Sequence, residues 1–163
     1  MTMTNNSNKY HNINVECACF NLRKITRAVT QFFDRHLESS GLRATQFTLL
    51  VNLAAGTSKT LTEMADSLVM DRTTLTRNLR PLEKLGFITT TKVSDRRSKA
   101  YVLTDAGTRA LEKGVPLWQQ AQSKILNQFG NERYKRTVAE LDAMRAVASL
   151  PRVTRKKDNV VQL

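Results

Sequence analysis

Apolar residues recur at steps of three and four along most of the chain, which is the period of amphipathic helices. Two short stretches, 87–93 and 99–104, depart from it: they are rich in β-branched residues and alternate, as strands do. The pattern therefore predicts a mainly α fold with one small β-hairpin (α+β). The predicted helices cover residues 13–39, 45–55, 62–68, 71–85, 105–129 and 132–150.

Capping and breaking residues divide these helices. Gly41 is expected to end the first helix, and a glycine at 130 the fifth. We expect Thr62 to cap the third helix and Asp71 the fourth, while Thr104 or Asp105 caps the fifth.

The third and fourth helices and the hairpin form the most informative segment. A short helix, a brief turn and a longer helix make a helix-turn-helix, and a hairpin directly after it makes the winged form. In that arrangement the second helix enters the major groove of DNA, and the hairpin tip reaches the backbone or the minor groove.

The fourth helix has two contrasting faces. Leucines at 75, 79, 82 and 85 form one stripe that we expect to pack inward. The other face is basic and hydroxylated, with no acid between Asp71 and Glu83, which suits phosphates and base edges. The predicted DNA contacts on this helix are Arg72, Thr73, Thr74, Thr76, Arg77 and Arg80.

The hairpin tip, "SDRRSK", is also basic. It places Arg96, Arg97 and Lys99 on a short turn, and Asp95 is positioned to hold Arg97 for insertion into a narrow minor groove. The alternative is a solvated basic turn without a partner.

Two local features leave the geometry of this segment open. Pro81 predicts either a kink after Arg80 or an end of the helix near Arg80. The turn "SLVMD" has Val69 where many such turns have glycine. Because a β-branched residue at positive φ is strained, we expect this turn to avoid the left-handed conformation.

Composition limits the classes of partner that the chain is expected to bind. The chain has 163 residues and a formal charge of +12, which favours a polyanion such as nucleic acid, although ribosomal and membrane-surface proteins share that balance. No stretch has the ~20 apolar residues of a membrane span, and the polar start is not a secretory signal. Two cysteines predict a reduced, cytoplasmic protein. No spacing indicates a metal site, a cofactor or an enzyme.

The chain resembles the MarR family of transcriptional regulators over roughly residues 15–150. The resemblance rests on "GLRATQFTLL", "LTEMADSLVMDRTTLTRNLRPLEKLGFI", "DRR" at 95–97 and "LTDAG" at 103–107, in that order. Each segment is weak alone, but their order and spacing are specific.

The resemblance implies a homodimer of winged helix-turn-helix units that binds a pseudo-palindromic double-stranded DNA operator, usually as a repressor. We therefore expect a single domain over 1–163. It would comprise a disordered arm at 1–12, dimerisation helices at 13–40 and 105–150, a DNA-binding unit at 44–104 and a basic tail at 151–163. The alternative is a non-specific nucleic-acid-binding or architectural protein, whose binding would be sequence-blind and steeply salt-dependent.

The resemblance also implies a signal. A small-molecule effector would bind between the dimerisation helices and the DNA-binding unit, where Phe20, Phe47 and Trp118 are candidate lining residues or plain core.

The cysteines offer an oxidative signal instead. "CFNLRKITRAVT" is similar to the first helix of the branch that senses organic hydroperoxides, with Cys19 at the reactive position. The two supporting tyrosines of that branch correspond here to Phe33 and Ala44, which have no hydroxyl. Cys17 and Cys19 would point to different faces of a regular helix, so a bond between them is not expected, although one between subunits is open. The alternative is that both are small buried hydrophobes.

Overall fold

A computed structural model describes residues 10, 13, 15–56, 59–92 and 99–149. The chain divides into two compact units, Met1–Gln122 and Ser123–Leu163, each of which is treated separately below. The predicted tail at 151–163 and the predicted arm at 1–12, except Tyr10, lie outside the described residues.

Helices make up most of the described chain. They are α1 (Ala18–Leu37), α2 (Ala44–Ala54), α3 (Leu61–Leu68), α4 (Arg72–Lys84), α5 (Asp105–Phe129) and α6 (Asn131–Ala148), with one 3-10 turn at Glu38–Ser40. Each corresponds to a predicted helix, with ends displaced by a few residues. Gly41 follows the 3-10 turn at φ 75°, as expected of a helix stop. Among the described helices, none combines the length and apolar character that crossing a bilayer requires.

The sheet is larger than the predicted hairpin. Strands β2 (Ile88–Lys92) and β3 (Lys99–Leu103) pair antiparallel as expected, with Ile88 opposite Leu103. A third strand, β1 (Lys59–Thr60), pairs antiparallel with the other edge of β3, giving the order β1-β3-β2. The sequence did not reveal β1, because two residues are too short for an alternating pattern.

One core holds the first unit together. Leu37 from α1 and Leu50 from α2 are fully buried, as are Met64 from α3 and Leu75 and Leu79 from α4. Ile88 of β2 joins the same cluster. Three leucines of the predicted stripe, Leu75, Leu79 and Leu82, are therefore directed inward, which turns the opposite face of α4 outward. The fourth, Leu85, follows the last residue of α4 and is 52% exposed, so the prediction that it packs inward is wrong.

The predicted cap of α3 is wrong by two residues. Thr60, not Thr62, is the N-cap: its hydroxyl accepts from the amide of Glu63 at 3.2 Å, and the Glu63 carboxylate accepts from the Thr60 amide at 2.7 Å. This is a capping box, and the sequence "TLTE" carries its signature. β1 ends at this cap, so strand and helix share one residue.

Candidate nucleic-acid interface

Asp71 fixes the start of the predicted recognition helix, as expected. Its carboxylate accepts from the amide of Thr74 at 2.8 Å. Hydrogen bonds from Thr74, its side chain first and its amide second, hold the pKa of Asp71 below its usual value. The carboxylate is therefore ionised at the positive end of the helix dipole.

The outward face of α4 carries the predicted basic residues. Arg72, Thr73, Arg77 and Arg80 are all exposed, while Leu82 behind them is fully buried. Because the next acid on the helix is Glu83, the face presents cations and hydroxyls without a neutralising carboxylate. That surface can donate hydrogen bonds to phosphates and to guanine edges.

Two of the predicted DNA-contacting residues already form hydrogen bonds with neighbouring residues of the helix or its cap. Thr74 is half-buried and bonded to Asp71 through the cap. The hydroxyl of Thr76 donates to the carbonyl of Arg72 at 2.7 Å. Its oxygen can still accept a bond, and its methyl group remains available for apolar contact.

The helix does not end at Pro81. α4 continues through Pro81 to Lys84, and the amide of Leu85 donates to the Pro81 carbonyl at 3.0 Å. The expectation that the helix ends near Arg80 is therefore wrong. Pro81 has no amide to donate to the carbonyl of Arg77, but the turns that follow restore the helical bonding.

The turn between α3 and α4 contradicts the expectation for Val69. This residue lies at φ 52° and ψ 45°, in the left-handed region. The reason is the end of α3: the amide of Val69 donates to Asp66 at 3.3 Å and that of Met70 donates to Ala65 at 2.9 Å. This is the Schellman pattern, which requires a left-handed residue at that place whatever its side chain.

A rigid joint connects α4 to the wing and to α5. The hydroxyl of Thr104 donates to the Gly86 carbonyl at 2.6 Å and accepts from the Gly107 amide at 3.1 Å, so Thr104 caps α5. The Thr104 amide donates to the Phe87 carbonyl at 3.1 Å. A Cβ at Gly107 would lie 2.0 Å from that carbonyl oxygen. The "LTDAG" segment thus holds α5 against the end of the recognition helix.

The wing is described only at its base. Asp95, Arg96 and Arg97 lie outside the described residues. Lys99 is exposed at the start of β3, opposite the exposed Lys92 of β2. The base of the wing is therefore positively charged at the edge nearest its tip.

One polar network near the site was missed by sequence reasoning. The Asn52 amide group donates to the Ser67 hydroxyl at 2.9 Å, and the Lys59 ammonium donates to the Asn52 carbonyl at 3.3 Å. These bonds tie α2, β1 and α3 together. No sequence pattern could have found the network, because it depends on the position of the unpredicted strand β1.

An apolar cleft of about 520 Å³ lies between α1, α2 and α5. The predicted residues Phe47 and Trp118 line it, with ring centroids 6.4 Å apart and planes inclined by 19°. Phe20 is not among its lining residues. The cleft has the size of a small-molecule site.

The cysteines are free thiols. Cys19 is exposed and Cys17 is half-buried, so the alternative that both are buried hydrophobes is wrong for Cys19. Cys17 is the extended N-cap of α1, with φ −68° and ψ 113°, and not part of a regular helix. The helical argument against a bond between the two thiols therefore does not apply. No group of three or more metal-ligating side chains occurs among the described residues.

The C-terminal unit leaves an apolar stripe uncovered. Val138, Leu141 and Met144 recur at steps of three and form one band along α6. They are exposed, as is Val147 farther around the helix, and α6 has no buried residue. A helix without a buried face gains little stability from packing in its own chain.

Comparisons with known proteins agree with this geometry. The sequence model of the MarR family matches residues 42–99, which span α2 to the start of β3. The M. tuberculosis transcriptional regulator MosR, solved in complex with DNA, is 36% identical, with 83% of this chain and 100% of that chain covered and a TM-score of 0.73.

Two further proteins are also similar to this chain. The S. aureus MepR–DNA complex is 23% identical over 80% of this chain and 97% of that chain, with a TM-score of 0.70, and it shows the same fold. An uncharacterised HTH-type transcriptional regulator of Bacillus cereus is 28% identical over 120 residues, which are 74% of this chain and 80% of that protein.

Proposed function

The chain belongs to the MarR family of DNA-binding transcriptional regulators, and from this premise we propose that it is a homodimeric repressor of a pseudo-palindromic operator. The observation that carries the proposal is the outward face of α4. It is basic and hydroxylated, it is free of acids, and three fully buried leucines, Leu75, Leu79 and Leu82, anchor it to the core. A non-specific binder needs positive charge but does not need a capped, leucine-anchored reading helix.

In this proposal Arg77 and Arg80 read base edges in the major groove, and Arg72, Thr73 and Thr76 contact base edges or phosphates. The hydrogen bond from the Thr74 amide to the Asp71 carboxylate fixes where this helix begins. Lys99, at the wing base, contributes positive charge beside the tip. Arg96 and Arg97 would enter the minor groove, oriented by Asp95, as the sequence pattern suggests.

The dimer is proposed to form through the terminal helices. The exposed stripe of α6 supports this, because an uncovered row of large apolar side chains is costly in water and marks an interface. A two-fold axis would place the two copies of α4 about one DNA turn, ~34 Å, apart.

Footprinting on the DNA upstream of the gene tests the proposal. Two protected half-sites ~10 base pairs apart, centre to centre, and a solution mass of two chains are expected. Leu141→Glu should halve the mass and abolish the double footprint, while Ala139→Glu, at an exposed position on the opposite side of the same helix, should change neither. A monomeric wild-type chain or a single protected half-site would contradict the dimeric operator complex.

The signal that releases the operator is proposed to be a small molecule or an oxidant. For the oxidant, the exposed thiol of Cys19 is the candidate sensor, with Cys17 two residues away. Cys19→Ser should leave operator binding intact and abolish loss of binding on treatment with organic hydroperoxide. A response that persists in this variant would assign sensing to another group.

A further inference from the structure

The cleft between α1, α2 and α5 is walled by uncharged side chains. Val29 and Phe33 come from α1, Phe47 and Val51 from α2, and Val115 and Trp118 from α5. Its polar lining side chains are three threonines, Thr30, Thr45 and Thr48. Within the described part of the chain, the lining therefore has no cation that could neutralise an acid and no anion that could neutralise a base.

Aromatic rings form one wall. The Phe47 ring and the Trp118 indole lie nearly parallel, and Trp118 remains 38% exposed. An offset-stacked aromatic ligand gains contact energy on such a surface. Phe47 is held from behind, since a Cβ at Gly114 would lie 2.9 Å from two of its ring carbons.

The charge of the chain makes this lining informative. The protein carries a formal charge of +12, yet none of the Lys and Arg side chains that the structure describes lines the cleft. A carboxylate or sulfonate entering the cleft would lose its hydration without gaining a counter-charge, and that loss is large. An uncharged ligand loses much less hydration free energy when it enters the cleft.

We propose that the cleft binds an uncharged aromatic molecule and discriminates against the anionic form of the same framework. This inference rests on the proposed function, since it names the class of effector that the regulator would sense. The threonine hydroxyls at the rim give such a ligand one or two hydrogen bonds and set its orientation.

The test uses two fluorescent probes that share one ring framework. Phenylnaphthylamine is uncharged, and anilinonaphthalene sulfonate adds one sulfonate. Both are titrated into the full-length chain, and binding is followed by probe emission and by quenching of Trp118, the only tryptophan of the chain.

A filled variant and a matched control define binding in the cleft. Thr48→Phe with Val51→Phe adds two rings to the lining from exposed positions on α2, and Ala54→Phe adds one ring on the same helix outside the lining. Cleft binding is the part that the filled variant loses and the control retains. Sulfonate that binds elsewhere on the basic surface of the chain is thereby excluded from the comparison of the two probes.

We expect cleft binding of phenylnaphthylamine to be at least about tenfold tighter than that of the sulfonate. Equal cleft affinities, tighter cleft binding of the sulfonate, or no cleft binding of phenylnaphthylamine would each overturn the proposal. Operator release is measured separately with the same probes. If phenylnaphthylamine binds in the cleft without releasing DNA, the ligand class stands and the regulatory function fails.

Discussion

The ends of α3 and α4 have the same backbone hydrogen-bond pattern, but different residue types occupy their left-handed positions. After α4, Gly86 at φ 69° donates to Glu83 and Phe87 donates to Leu82; after α3, Val69 and Met70 make the equivalent bonds. Glycine adopts this conformation without strain, whereas a β-branched residue does not. Gly86 therefore fits the left-handed position after α4 without strain. The prediction that Val69 avoids this conformation was wrong, because helix-end hydrogen bonding overrode the side-chain preference.

Val69→Gly should therefore stabilise the protein. The side chain is 66% exposed, so its removal sacrifices little packing, and relief of the left-handed strain exceeds the entropy cost of glycine. We expect the free energy of unfolding to rise by about 0.5–1 kcal/mol in chemical denaturation. Val69→Ala retains a Cβ and should gain less. A Gly variant no more stable than wild type would show that the turn carries no strain.

Arg77 tests the reading face at the level of one side chain. If it contacts a base, Arg77→Ala should weaken operator binding by about 1–3 kcal/mol and relax base preference at one position in each half-site. Competition binding with single-base operator variants measures both effects. Arg109→Ala removes another exposed arginine, on α5, and should leave base preference unchanged. An unaltered base preference in Arg77→Ala would remove Arg77 from the set of base contacts.

At the scale of elements, the sequence predicted the helices and strands that are long enough to show a period, and it did not predict the two-residue strand. The periodicity of the leucines located α4 and its buried face, and the alternation in "FITTTKV" located β2. β1 has only Lys59 and Thr60, too few for any period, and exists through pairing with Tyr101 and Ala100 of β3. The capping-box sequence beginning at Thr60 is recognisable in the chain, but we predicted Thr62 as the cap of α3.

The cap of the recognition helix gives a pH dependence. The pKa of Asp71 is lowered in the folded chain by bonds from Thr74, so its contribution to stability is complete above the unfolded pKa and is lost as pH falls through the folded pKa. The thermal stability advantage of wild type over Asp71→Ala should therefore shrink as pH is lowered from about 5 to below about 3. Thermal melts across this range measure it.

Asn provides the matched control. Asp71→Asn keeps a side-chain acceptor without a titrating group, so its advantage over Asp71→Ala should not shrink with acid. If wild type and Asp71→Asn keep a constant difference over the whole range, the Asp71 carboxylate does not contribute to stability as an ion.

At the scale of the whole molecule, we propose different partners for the basic face of α4, the cleft and the apolar stripe of α6. The charge of +12 and the periodic faces were visible in the sequence and pointed to DNA. The cleft was implied by the family resemblance and not by any residue pattern, because α5 is distant in the chain from α1 and α2. Sequence reasoning named Phe47 and Trp118 but could not establish that charged side chains are absent from the lining.

The central claim is that the basic face of α4 reads sequence and does not merely attract phosphate. The most direct measurement is the affinity of the reduced full-length chain for its own upstream DNA and for a scrambled duplex of equal length, at ~50 and ~200 mM salt. We predict a preference of at least about a thousandfold that persists at the higher salt while both affinities fall. Equal affinities that decline together would contradict the claim and leave a basic protein that binds DNA without reading it.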